Sequence, residues 1–389
     1  MLTKAGRNET GDGRFNPCLK TTRSSNNYAG PPIMAQQIPD KEVTTVMKAV
    51  KWGLVGYGEQ ARERMVPALQ KLKEVEITSV CCSSPERAEA AAKELGVKGY
   101  GHLADFLSDP EVQVVYISTP HALHTPQAYK ALEAGKSVLV EKPIALSADG
   151  VHKLTEVAHR KKVTLGTSFP LRHHPGLKEL KDDLTKGAFG DLIHIYVLLS
   201  REKQMDKPWW KDQFHSGPMC LMDLGLQGID LMIWLAGTKP VEVSTVGKGG
   251  QSDDSLNIAA TISVNFDSGA TGAISASNMV KGDRNLVLLQ GSEKQALVEM
   301  NWPEGDGAFQ IRMRPAGKDE EKKYEPVNLY KLLAENFNQA VLGKETYSPT
   351  PEESYPVVEV CCAAIESLKS GRAVRVGQVQ RVTGPRFKD

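Results

Sequence analysis

The chain has 389 residues, with 48 Lys and Arg against 47 Asp and Glu and a formal net charge of +1. That balance excludes the basic excess of a nucleic-acid binder and the acidic excess of a disordered activator. An apolar fraction of 40 % and 34 glycines are globular composition, and the length suits two or three domains with cores of their own.

Residues 1–46 are rich in Asn, Gly, Ser, Thr, Arg and Pro and lack apolar periodicity, so a disordered tail is expected there. They contain no continuous apolar stretch of the kind a signal peptide needs. Met47 directly precedes the first patterned segment and reads as the natural start, with a real flexible arm as the competing reading. No apolar run is long enough to cross a membrane. Four of the six cysteines form the adjacent pairs Cys81-Cys82 and Cys361-Cys362, which disulfide geometry rarely bridges. No Cys/His spacing fits zinc, so reduced thiols, no metal and a cytoplasmic location are expected.

From residue 50 the pattern changes. Val50-Lys51-Trp52-Gly53-Leu54-Val55 reads as a buried strand, Gly56-Tyr57-Gly58-Glu59-Gln60-Ala61 follows, and a helical run continues through Met65, Leu69 and Leu72. This is G-x-G-x-x-A between strand and helix. Gly56 permits the tight turn, Gly58 lets backbone approach a pyrophosphate, and Ala61 allows close helix–strand packing, while the helix N-terminus presents free N–H groups to phosphate. The alternative is a glycine turn with only a structural role.

Further strands are predicted at 75–81, 112–118, 137–140 and 163–167, alternating with helices at 85–95, 123–134 and 148–161. Such alternation predicts a parallel sheet flanked by helices, with ligand at the carboxyl ends of its strands. In such a fold an acid about 20 residues past the glycines holds the adenosine ribose. Here that place reads Cys82-Ser83-Ser84-Pro85-Glu86-Arg87. With no carboxylate at Cys82, Ser83 and Ser84 can donate to a 2′-phosphate and Arg87 can supply charge, which favours NADP over NAD. The alternative is a solvated Arg87 and acceptance of NAD.

Three further segments raise the specificity: Thr119-Pro120-His121-Ala122-Leu123-His124, Glu141-Lys142-Pro143, and Asp223-Leu224-Gly225-Leu226-Gln227. With these the chain, from about Lys48 to Val376, resembles the Gfo/Idh/MocA oxidoreductases. The resemblance implies an α/β architecture: a Rossmann domain (47–168) and a second α/β domain (169–389) with a large, open, mainly antiparallel sheet that makes dimer or tetramer contacts. The sequence agrees, with strands predicted at 192–200, 241–246, 257–265, 271–277, 284–290, 295–299 and 309–313 and helices at 176–186, 329–342 and 352–370.

The resemblance further implies that Lys142 lies beside the nicotinamide and the reacting carbinol as acid/base. A partly desolvated lysine next to a positive ring gives up its proton more readily, as the chemistry requires. Pro143 would fix the turn and Glu141 would contact cofactor or orient Lys142. Thr119, Pro120, His121 and His124 would contact cofactor. Asp223 would orient substrate or relay a proton; a helix N-terminal acid is its plainer reading. The family's histidine falls on Gln227, which can bond a sugar hydroxyl but cannot take a proton near neutral pH. His215 is a possible substitute. For Arg172, a substrate contact and a structural ion pair are both open. His173 and His174 read as polar surface, and Trp209 and Trp210 as a pocket rim or ordinary packing.

The expected function is NAD(P)-dependent hydride transfer to or from a sugar-like or polyol substrate. The alternatives are a glycosidase that oxidises its sugar transiently and a non-catalytic nucleotide-binding regulator.

Overall fold

The computed structural model describes residues 49–202, 220–248, 259–281, 285–301, 309–315 and 320–379. The expectations for 1–46, Trp209, Trp210 and His215 fall outside these residues.

Two sheets organise the chain. The first has six strands in the order β3-β2-β1-β4-β5-β6. In chain order they are β1 (Val50–Val55), β2 (Val75–Cys81), β3 (Lys98–Tyr100), β4 (Val114–Ile117), β5 (Ser137–Glu141) and β6 (Leu165–Ser168). Every pairing is parallel. β4, β5 and β6 are buried at every residue, the signature of a sheet covered on both faces. The covering helices are α1 (Val66–Leu69, entered through the π-helical turn Ala61–Met65), α2 (Pro85–Leu95), α3 (Leu103–Ser108), α4 (His121–Glu133) and α5 (Ala148–Lys161). Strand order reverses between β1 and β4, which opens a crevice at the carboxyl ends of the strands.

The second sheet has nine strands in the order β14-β13-β12-β11-β7-β10-β9-β8-β15. They are β7 (Leu192–Ser200), β8 (Pro240–Lys248), β9 (Ala259–Phe266), β10 (Thr271–Ser277), β11 (Asn285–Gly291), β12 (Lys294–Met300), β13 (Phe309–Pro315), β14 (Glu320–Tyr324) and β15 (Val374–Arg375). Only β7 and β10 pair in parallel. Burial alternates along β9 and β10, so one face packs inward and the other does not. α6 (Pro175–Thr185) precedes β7, α7 (Leu226–Ala236) lies between β7 and β8, and α9 (Pro351–Ser370) comes just before β15. α9 carries a full capping box: Thr350 accepts from the Glu353 N–H and Glu353 accepts from the Thr350 N–H.

Five elements escaped the sequence pattern: β3, α3, α7, β14 and β15. β14 reads Glu-Glu-Lys-Lys-Tyr at a sheet edge, where charge rather than apolar alternation is the rule. β3, α3 and β15 are too short to show a period, and α7 is buried on nearly every side, so its apolar residues mark no single face.

α8 (Leu329–Val341) returns to the first sheet. Its Leu333, Ala334 and Phe337 share a buried cluster with Trp52, Leu54, Tyr116 and Leu139. The Trp52 and Phe337 rings meet edge-on at 5.6 Å, and Trp52 Nε1 donates to Asn338 Oδ1 at 3.2 Å.

One expectation is corrected here. His173 and His174 are buried, not polar surface. His174 Nδ1 accepts the Gly176 N–H at 3.0 Å and so caps α6, and the His173 ring stacks on Tyr347 at 5.7 Å. Burial pushes the His173 imidazole down to about 3, so it stays neutral.

Candidate active site

The crevice of the parallel sheet is a cleft of 660 Å³. Gly56, Tyr57, Gly58, Glu59 and Gln60 line it just past β1. Gly56 has a φ of +90°, and a Cβ there would lie 2.9 Å from the Ser118 carbonyl oxygen, so only glycine serves. A Cβ on Gly58 would meet nothing within 4 Å. That open space beside a helix start is the cradle a diphosphate needs. Ser118 Oγ donates to the Gly56 carbonyl at 3.1 Å and ties the turn to the end of β4.

After β2, Cys82, Ser83 and Arg87 line the same cleft. Arg87 donates from its guanidinium to Ser83 Oγ at 3.1 Å. Ser84 is not among the lining residues; its hydroxyl caps α2 by accepting the Arg87 N–H at 3.4 Å. Past β4 come Thr119, Pro120, His121 and His124. His124 is buried with Nδ1 2.7 Å from the Pro143 carbonyl and Nε2 2.7 Å from the Thr119 carbonyl. Burial holds its imidazole below the ordinary range. A neutral ring has one N–H, so it donates to one of the two carbonyls. In either tautomer it sits between the Thr-Pro and the Glu-Lys-Pro segments and holds their spacing.

Glu141 ends β5 in the floor of the cleft. Tyr116 donates to its Oε1 at 2.7 Å and Gln60 Nε2 at 3.1 Å. Burial raises its carboxyl above the usual range. Lys142 follows, with a cis peptide to Pro143. Its Nζ lies 2.7 Å from Asp223 Oδ1 and 3.3 Å from the Asp223 carbonyl. Asp223 sits in the π-helical turn Leu221–Gly225 that runs into α7, and its other oxygen pairs with Arg201, just past β7. Elements 81 residues apart thus place an amine and a carboxylate together in the cleft wall.

Besides Ser84, two expected residues stand apart. Gln227, in the first turn of α7, is 4 % exposed and does not line the cleft. Arg172 does not line it either. Its guanidinium reaches Asp230 at 2.7, 3.0 and 3.1 Å and Glu353 at 2.9 Å, the structural ion pair of the two readings. The sequence reading missed Arg201, Tyr116 and Gln127, which accepts from Thr119 Oγ1 at 2.5 Å. No local signal in the sequence marks Arg201, whose partner lies 22 residues on.

A parallel sheet ordered 3-2-1-4-5-6, a glycine turn at its switch point and an amine at the end of β5 define an NAD(P)-binding oxidoreductase. The chain belongs to the Gfo/Idh/MocA oxidoreductase family. Residues 50–169 match that family's NAD-binding Rossmann fold and residues 177–296 match its C-terminal domain. It is 25 % identical to a 1,5-anhydro-D-fructose reductase of Ensifer adhaerens over 84 % of this chain and 98 % of that one. Its fold is similar to an aldose-aldose oxidoreductase of Caulobacter crescentus, solved with glycerol (TM-score 0.76, 19 % identity, 84 % and 100 % of the two chains). It is also similar to a 3-ketoreductase of Actinomadura kijaniata, solved with NADP and TDP-benzene (TM-score 0.73, 20 % identity, 83 % and 98 %).

Proposed function

We propose that the protein interconverts a carbinol and a carbonyl on a sugar or polyol, with NADP preferred over NAD. The observation that carries this reading is Lys142 Nζ in the cofactor cleft, 2.7 Å from Asp223 Oδ1. The sugar-related names of the relatives support it. The glycine turn would hold the diphosphate, Ser83 and Arg87 the adenosine end, and Thr119, Pro120, His121 and His124 the nicotinamide end. When bound, the nicotinamide takes or supplies the hydride. Lys142 Nζ takes the carbinol O–H proton in oxidation and returns it in reduction, while Asp223 holds the lysine in place. The division into a cofactor part (47–168) and a substrate part (169–389) and a cytoplasmic location belong to the same reading; the buried free thiols of Cys81, Cys220, Cys361 and Cys362 suit a reducing compartment.

The test is a panel of sugars and polyols with NADP or NAD, read at the reduced-nicotinamide absorbance. Turnover on at least one is expected; tight binding without turnover on any would reject the dehydrogenase reading. Arg87→Ala is expected to weaken NADP by about tenfold and NAD by less than threefold, since a single charge-assisted contact is worth roughly 1.5–3 kcal/mol. Equal loss in calorimetric titrations of the two would remove the 2′-phosphate from the assignment.

We infer further that the open face of the nine-stranded sheet joins copies into a dimer or tetramer. Tyr196, Leu288 and Leu297 stand in register on three adjacent strands of that face, all partly exposed. Light scattering is expected to return a multiple of the chain mass, and Leu288→Glu to reduce it to one chain. A wild-type protein that reads as a single chain would refute the inference.

A further inference from the structure

One stretch of the cleft takes no part in the proton-transfer site. Leu103 opens α3, and Leu123 and Gln127 stand four apart in the first two turns of α4, so both lie on one side of that helix. α3 packs against α4 and also against β2 and β3, the sheet edge away from Lys142. His124, further round α4, is turned instead toward the Pro143 carbonyl after β5. Arg87 enters the cleft from the other face of the sheet. Its helix α2 shares a core with α1 through Ala91 and Leu69, whereas Phe106 of α3 and Ala128 of α4 belong to the second core. Leu123 stays exposed although it is large and apolar, and Leu103 is half-buried. Gln127 Oε1 accepts from Thr119 Oγ1 at 2.5 Å, and Gln127 Nε2 has no hydrogen-bond partner among the described residues.

We propose that this stretch seats the cofactor's base and that Gln127 reads adenine there, an assignment that rests on a dinucleotide occupying the cleft. A purine is a flat disc with an apolar face and a polar rim. Leu103 and Leu123 give one face apolar cover, and the Arg87 guanidinium, arriving from the other side of the sheet, covers the opposite face. Its plane lies on the ring while its N–H edge serves Ser83 and the 2′-phosphate. The rim then meets Gln127. A carboxamide presents a donor and an acceptor side by side, and adenine presents their complement, the N6 amino group beside an unprotonated ring nitrogen. Thr119 uses one lone pair of Oε1, so the other accepts from N6–H while Nε2 donates to the ring nitrogen. By donating to Oε1, the Thr119 hydroxyl also holds the amide in the orientation that adenine needs. In hypoxanthine an oxygen replaces the amino group. Oε1 then faces a second acceptor, and their repulsion offsets the bond that Nε2 still makes.

The test needs no turnover. Calorimetric titration of the full-length protein compares NADP with deamino-NADP, in which hypoxanthine replaces adenine. The wild-type protein is expected to bind NADP about tenfold more tightly, the equivalent of one hydrogen bond. Gln127→Leu, of similar volume, should weaken NADP by about tenfold and deamino-NADP by no more than about threefold, so that the preference nearly disappears. Leu123→Ala should weaken both by about threefold and keep their ratio, because a contact on the ring face is blind to the rim. Thermal unfolding checks that both variants are folded, and the wild-type comparison stands without either. Equal affinity of the wild-type protein for the two dinucleotides overturns the assignment, and so does a Gln127→Leu variant that weakens both alike. Leu123→Ala with both affinities unmoved overturns the placement of the base against α4. A wild-type protein that binds neither NADP nor NAD overturns the cofactor reading itself, an outcome distinct from binding both bases equally.

Discussion

Lys142→Met is expected to lower turnover by about 10²–10⁴-fold, the range for losing a positioned general acid–base. That corresponds to roughly 3–5 kcal/mol of transition-state stabilisation. Cofactor affinity should change by no more than a few-fold, because the glycine turn and the Ser83–Arg87 pair are untouched. The fold should also survive: Asp223 loses one partner at 2.7 Å but keeps Arg201, so no carboxylate is left buried and uncompensated. Single-turnover absorbance and cofactor titration on the same preparation check both halves. A variant that retains more than a tenth of wild-type kcat would show that another group moves the proton.

The second large effect concerns stability. Arg172→Met is expected to destabilise the fold by about 3–5 kcal/mol, the cost of breaking a buried ion pair from one side. Asp230 is 1 % exposed, and burial already pushes its carboxyl upward against the pull of Arg172. Without the guanidinium, that carboxylate must be protonated or left unpaired. kcat/KM per folded molecule should be unchanged, since Arg172 lies outside the cleft. Denaturant unfolding and steady-state kinetics give the two numbers. Normal stability with a raised KM would return Arg172 to the substrate. The double variant Arg172→Met, Asp230→Leu should recover part of the loss, because both charges leave together.

The parts of the site that were legible in sequence are those in which a local backbone requirement meets chemistry. Gly56 can be read because a turn with positive φ against the Ser118 carbonyl admits almost nothing else. Lys142 was legible only through its motif, since an amine after a strand has no spacing signal of its own. Arg201 was not legible. Its partner lies 22 residues on, in a different element, and nothing local marks the pairing. His173 and His174 misled because two adjacent polar residues after Pro170-Leu171 look solvated, whereas Tyr347 and Tyr324 arrive from much later in the chain to bury them. The second sheet was legible strand by strand, but its edges were not, because edge strands carry charge in place of the alternation that marks their neighbours.

The bond between Trp52 and Asn338 spans 286 residues. It sets a schedule for synthesis. The six-stranded sheet leaves the ribosome with the face of Trp52 covered only in part, by α1 and α2, and waits for α8 to be translated. At 5–20 residues per second the interval for the roughly 160 residues between Ser168 and Leu329 is about 8–32 s. During it, the nascent chain presents Trp52, Leu54 and Tyr116 to whatever is nearby. A ribosome stalled or a message cut short before Leu329 would release a protein that has its whole cofactor turn and an incomplete cover for its core. α8 thus protects β1 and β4, and truncations that remove it should be counted as solubility defects even where every residue of the cleft is intact.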